Sequence, residues 1–185
     1  MQANHIPNAI SLGRMLLVPP MVLLLLNEYY GMALVLFAVA GVSDALDGYL
    51  AKRYGWGSRL GTILDPLADQ LLLVSAYLIL GWLGEIPVWL VMVVVGRDLV
   101  IVAGGVAYHY LIGSYKLEPS LLSKLNTVAQ IVLVLGILVT HSVLTLPAGV
   151  VAALGDLVLV TTLLSGLSYV WTWGVRALRA RRRPQ

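Results

Sequence analysis

The stretch DALDGYLAKRYGWGSRLGTILDPLAD, Asp44 to Asp69, carries four aspartates and three basic residues inside a chain of 185 residues that is 59% hydrophobic and only 11% charged. An ordinary soluble domain holds about 25% charged residues. On both sides of the stretch the sequence is apolar over lengths suited to lipid, whose hydrocarbon core takes about 20 apolar residues per helix and offers no water to loose backbone groups. The four acids therefore belong to an integral membrane protein. Their placement is what its fold has to explain.

Working outward, apolar runs recur between breaks at 28–31, 54–58, 83–87, 113–119 and 141–147. The pattern predicts an all-α chain of six transmembrane helices at 9–27, 31–53, 59–82, 87–112, 120–140 and 148–175, behind a short N-terminal interfacial segment. The beginning MQANHIPNAISLGRMLL has neither a basic start nor a small-residue cleavage site, so it reads as a retained first helix. Basic residues fix the orientation, because Lys and Arg in short loops stay on the cytoplasmic side. Lys52, Arg53 and Arg59 surround the second break, Lys116 and Lys124 the fourth, and Arg176, Arg179, Arg181, Arg182 and Arg183 follow the last helix. The alternate breaks, around Glu28, Glu85 and His141, have no Lys or Arg. Both termini are thus expected in the cytoplasm.

No internal repeat or long linker divides the chain, which reads as one domain, 1–185, with a basic tail at 176–185. The net charge of +3 comes from residues at helix ends and in the tail, where they meet anionic headgroups, so it does not indicate nucleic acid. The absence of cysteine excludes disulfides and thiolate metal sites. His5, His109 and His141 lack ligand spacing. Pro19 and Pro20 are expected to kink or break the first helix. Asp156 falls inside the sixth apolar run.

The second and third helices make a hairpin about the glycine-containing turn YGWGS, 54–58. Asp47 and Asp65 are centred on that turn, as are Asp44 and Asp69, so the carboxylates form two facing rungs. Asp44 and Asp47 are i,i+3 and Asp65 and Asp69 are i,i+4, which places each pair on one helix face. At about 1.5 Å per residue the rungs lie on the order of 10–20 Å from the turn, at the cytoplasmic end of the membrane. Four gathered carboxylates repel one another unless cations join them. All-oxygen ligands select hard divalent ions, Mg²⁺ first, with Mn²⁺ or Ca²⁺ as alternatives, and two ions would neutralise the cluster. The competing reading is static pairing of the acids with Arg14, Arg97, Lys52 and Arg59. Gly48, Ala51 and Gly61 fit either close approach of a ligand or close helix packing.

These residues resemble the CDP-alcohol phosphatidyltransferase family, whose motif is D-x-x-D-G-x-x-A-R, eight residues, then G-x-x-x-D-x-x-x-D. Here it reads Asp44, Asp47, Gly48, Ala51, Lys52, eight residues from Arg53 to Leu60, then Gly61, Asp65 and Asp69. Every spacing is kept, and Lys52 in place of Arg is the one departure; Lys keeps the charge and loses the bidentate fork. The resemblance implies six helices, usually in a homodimer, and a cytoplasm-facing metal site of a bacterial cytoplasmic membrane. It implies transfer of a phosphatidyl group from a CDP-linked lipid to an alcohol with release of CMP. By the same resemblance Asp44, Asp47, Asp65 and Asp69 are metal ligands, and Asp69 is also the general base. Gly48, Ala51, Lys52 and Gly61 would line the CDP pocket, with Asn8 and Arg14 of IPNAISLGR as further contacts.

The acceptor has to be sought elsewhere in the chain. Arg97, within VVVGRDLVIVAGG, reads either as scaffold or as a ligand of an acceptor phosphate. Ser123, Lys124, Asn126 and Thr127 gather at the start of the fifth helix, and Arg59 and Lys116 supply further cationic candidates. The segments IPNAISLGR, LDPLAD, GRD and EPSLLSKLNT resemble most the branch of the family that joins CDP-diacylglycerol to phosphatidylglycerol. The branch that uses glycerol 3-phosphate tends to have a lysine where this chain has Asn126. A divalent-metal transporter is the reading from another class. Such proteins usually place their site near the midplane within repeated, broken helices, whereas these acids lie toward one face.

Overall fold

Among the described residues of the computed structural model, the six apolar runs form six α-helices: α1 (His5–Leu26), α2 (Tyr30–Tyr54), α3 (Gly61–Trp82), α4 (Val88–Ile112), α5 (Leu121–Ser142) and α6 (Ala148–Arg181). The structure describes residues 5–54, 61–112 and 120–181, with side chains at 12–44, 46, 70–104 and 120–172. Arg59 and Lys116 lie outside the described residues. Each helix falls within a few residues of its expected span, with two differences of substance. The first run is helical from His5, so the segment expected as an interfacial lead is the first turn of α1. It continues through Pro19 and Pro20 as a single helix rather than breaking, although each proline leaves a carbonyl one turn earlier, Met15 and Leu16, without an intrahelical partner. At the other end α6 extends to Arg181. Its 34 residues span about 50 Å, more than a hydrocarbon core needs, so the helix carries Arg176, Arg179 and Arg181 out with it.

Helix ends follow from local chemistry. After α1, the Tyr29 N–H reaches the Leu24 carbonyl and the Glu28 N–H reaches Leu25, a closure that puts Glu28 at φ 59°. After α3 the same closure, Glu85 to Leu80 and Gly84 to Gly81, uses Gly84 at φ 81°, a conformation natural to glycine. Pro87 and Pro147 precede α4 and α6, and their carbonyls accept the first helical hydrogen bonds. Ser120 caps α5, its hydroxyl accepting the Ser123 N–H at 3.1 Å.

Among the described residues, Leu121–Ser142 and Ala148–Thr172 are long and apolar enough to cross a membrane; Leu12–Leu26, Tyr30–Asp44 and Gln70–Trp82 are shorter apolar stretches. The stretch of α2 ends, and that of α3 begins, at the aspartate-bearing segment. Large side chains on the outside are apolar, among them Leu16, Leu23, Met32, Val35 and Trp171, an arrangement suited to lipid rather than water.

The chain divides into two compact units. One consists of α1, α2, α3 and the end of α5; the other consists of α4, the first part of α5, and α6. In the first, α1 packs against both α2 and α3. Its interior is built from Met21, Leu25, Ala33, Phe37, Ala40, Ala76, Tyr77 and Leu80, where the small residues let helix backbones approach. At one end His141 on α5 meets Glu85 at 2.7 Å and stacks on Tyr30, with ring centroids 4.6 Å apart. In the second unit α4 packs on α6, and Leu90, Val94, Ala129, Leu133 and Val158 fill the interior.

Candidate functional site

The aspartates sit on helices, as their spacing requires: Asp44 and Asp47 lie in α2, Asp65 and Asp69 in α3, and the same helices carry Gly48, Ala51, Lys52 and Gly61. Helix register says which face these positions share. On α2 the exposed row is Met32, Val35, Val39, Val42 and Leu46, and the buried row is Ala33, Phe37 and Ala40. Both rows step by three and four residues, as one helix face does. Continued along α2, the buried row runs through positions 44, 47 and 51. On α3 the buried row Leu72, Ala76 and Leu80, continued toward the helix start, runs through positions 69, 65 and 61. Both aspartate pairs thus occupy the register of the interior rows, at the ends of α2 and α3 that flank the 55–60 connection.

Asp44 is the one of the four whose side chain is described. It forms an ion pair with Arg14 of α1 and remains 42% exposed, while Arg14 is only 2% exposed. Arg14, expected as a nucleotide or phosphate contact, therefore comes to the aspartate motif through Asp44. A buried guanidinium beside a carboxylate offsets the charge of Asp44 in a medium of low dielectric. The carboxylate still presents an accessible edge. A set of four carboxylates with no His or Cys suits a hard divalent ion. Asn8 lies on α1. The side chains of Asn8, Asp47, Lys52, Asp65 and Asp69 are outside the described residues.

The second unit holds a separate polar cluster. Arg97 of α4 donates from Nη1 to Asp98 at 2.7 Å, and from Nη2 to the hydroxyls of Ser123 on α5 at 2.7 Å and Ser165 on α6 at 2.5 Å. The Tyr169 ring lies 5.9 Å from the guanidinium carbon, and the Tyr169 hydroxyl accepts the Ser120 N–H at 3.5 Å. One turn along α5, Asn126 is fully buried, and its side-chain carbonyl accepts from Thr161 at 2.9 Å and Thr162 at 2.8 Å. Lys124 is exposed at the start of α5. Of the acceptor candidates, Arg97 and Asn126 thus join one polar seam between α4, α5 and α6, with Lys124 beside it. The α6 side of that seam, Thr161, Thr162, Ser165 and Tyr169, was missed in reading the sequence. Its signal is the helical spacing of polar groups within TTLLSGLSY, 161–169, in an otherwise apolar run.

The sequence pattern of the CDP-alcohol phosphatidyltransferase family matches residues 4–176. The chain is 35% identical over 145 residues to the cardiolipin synthase (CMP-forming) of Rattus norvegicus, covering 70% of this chain and 48% of the relative. It is 33% identical over 181 residues to the cardiolipin synthase (CMP-forming)/mitochondrial hydrolase fusion protein of Schizosaccharomyces pombe, covering 89% of this chain and 30% of the relative. It is 35% identical over 147 residues to the chloroplastic CDP-diacylglycerol–glycerol-3-phosphate 3-phosphatidyltransferase 1 of Oryza sativa subsp. japonica, covering 70% of this chain and 45% of the relative. The chain spans half or less of the length of each of these relatives. With its family pattern matched over residues 4–176 and its four aspartates on α2 and α3, the chain belongs to the CDP-alcohol phosphatidyltransferase family.

Proposed function

We propose that the protein is a CMP-forming cardiolipin synthase, transferring a phosphatidyl group from CDP-diacylglycerol to phosphatidylglycerol and releasing CMP. The observation that carries this reading is the complete aspartate motif on α2 and α3 in a chain whose relatives include several of that name. In this reading Asp44, Asp47, Asp65 and Asp69 would hold two Mg²⁺ ions, the number that balances their charge, with Mn²⁺ as a substitute. At these residues, bound divalent ions would supply neutralisation of the pyrophosphate and of the charge on departing CMP. Asp69 takes the proton of the acceptor hydroxyl as its oxygen attacks the lipid-side β-phosphorus in line. Gly48, Ala51 and Gly61 let the nucleotide approach the helix backbones, and Lys52 supplies a single positive contact. Arg14 holds Asp44 in place. The protein works as a multi-pass homodimer in a bacterial cytoplasmic membrane, with both termini on the nucleotide side.

The polar seam of the second unit bears on the acceptor. Arg97 is already balanced by Asp98, and Asn126 is neutral. Such a seam suits the single charge of a phosphodiester better than the double charge of a phosphomonoester. Glycerol 3-phosphate is the second acceptor to consider, because the rice relative is named for it. The deciding experiment is CMP release by purified protein with CDP-diacylglycerol and Mg²⁺, offering phosphatidylglycerol or glycerol 3-phosphate, with products identified by mass. A four-chain product with phosphatidylglycerol alone supports the proposal; release with glycerol 3-phosphate alone replaces it with phosphatidylglycerophosphate synthesis. Metal flux into proteoliposomes without lipid substrate would instead favour a transporter.

A further inference from the structure

Arg97 lies on α4 within an apolar run, where each unmet N–H is costly. Both hydrogens of Nη2 go to serine oxygens, Ser123 at 2.7 Å and Ser165 at 2.5 Å. A guanidinium only donates, so the two hydroxyls act as acceptors and each keeps its own proton. Neither hydroxyl passes that proton on to another group among the described residues. The Arg97 Nε is buried and also has no hydrogen-bond partner. Three donors are therefore left around one cation. On the accessible side, the Ser123 proton and the second hydrogen of Arg97 Nη1 remain for an anion with more than one oxygen, while the Ser165 contact lies behind them.

The two serines are not equivalent. Ser165 is fully buried, while Ser123 is partly exposed on the first turn of α5. Beside Ser165, a side chain at Gly166 would begin 3.5 Å from Arg97 Cγ, so α6 confines the arginine stem as well as its head. We infer that Ser165 is a positioning residue for phosphate recognition: it fixes the Arg97 guanidinium from the buried side, so that Arg97 and the Ser123 hydroxyl bind a phosphate of the acceptor. The inference rests on the proposed phosphatidyl transfer for the role of that phosphate. Its chemistry is shared by a lipid phosphodiester and a free phosphomonoester.

The test compares wild type with Ser165→Ala, Ser165→Thr and Ser123→Ala in the full chain. Steady-state CMP release is measured against each acceptor and against CDP-diacylglycerol. Thermal unfolding is followed with and without inorganic phosphate. Ser165→Ala is expected to raise the acceptor KM about ten-fold, the size of losing one hydrogen bond to a charged group, with kcat and the KM for CDP-diacylglycerol within about two-fold. Ser165→Thr restores the acceptor KM, and Ser123→Ala, on the partly exposed side, raises it as Ser165→Ala does. A fall in kcat with the acceptor KM unchanged, or no change at all, overturns the inference. If neither acceptor supports turnover, the proposed function fails and the phosphate measurement reads the site alone. Phosphate should then raise the unfolding temperature of wild type but not of Ser165→Ala; no rise in wild type overturns the inference.

Discussion

A single ion pair, Arg14 with Asp44, constrains one carboxylate of the aspartate motif. Arg14 is buried and comes from a different helix, so Asp44 is tethered without being covered. Asp69→Asn should lower CMP release by about 10²–10⁴, the range expected for loss of a general base, while leaving the fold intact. Retention of more than about a tenth of wild-type turnover would remove Asp69 from that role. Lys52→Arg should be tolerated, with kcat/KM within about three-fold, since Arg keeps the charge and adds a fork. Removing divalent cations with a chelator should abolish turnover, and Mg²⁺ should restore it. The aspartate motif was legible as a pattern, and its helices with it, because its members lie within 26 residues and keep helical spacing. Ser165 was not, because what selects it is Arg97, 68 positions away, and no periodicity within α6 names that partner.

At the scale of elements, apolar length located all six helices, since a hydrocarbon layer leaves little freedom in where a spanning segment starts and stops. Of the kink or break expected at the prolines of α1, the break does not occur, because packing of α1 against two helices keeps the segment helical. The end of α6 was drawn short because charge reads as loop, although arginine is a good helix former. The two left-handed turns offer a matched test. Glu28→Gly should stabilise the protein by about 1 kcal/mol by relieving φ 59°, and Gly84→Ala should destabilise it by about 1–2 kcal/mol at φ 81°, both read by thermal unfolding. Neither change should alter the KM for CDP-diacylglycerol.

For the whole molecule, the absence of cysteine makes topology directly measurable. Single cysteines at Glu28, Glu85 and Leu144 should react with an impermeant reagent from one side of the membrane, and those at Ser58, Lys116 and Arg183 from the other. Any mixed pattern would overturn six spans with both termini together. The unit that carries the aspartates is discontinuous in sequence: residues 1–86 are completed by 134–146, where His141 reaches Glu85. That arrangement sets an order of events at the ribosome. At about 5–20 residues per second, several seconds separate synthesis of the last residue of α3 from the first of the closing segment. On the proposed six-span topology, the acid-bearing helices would wait through that interval without their final partner, and α4 would have to be inserted before 134–146 could join them. A nascent chain stopped short of residue 134 should therefore be the species most readily taken by membrane quality control.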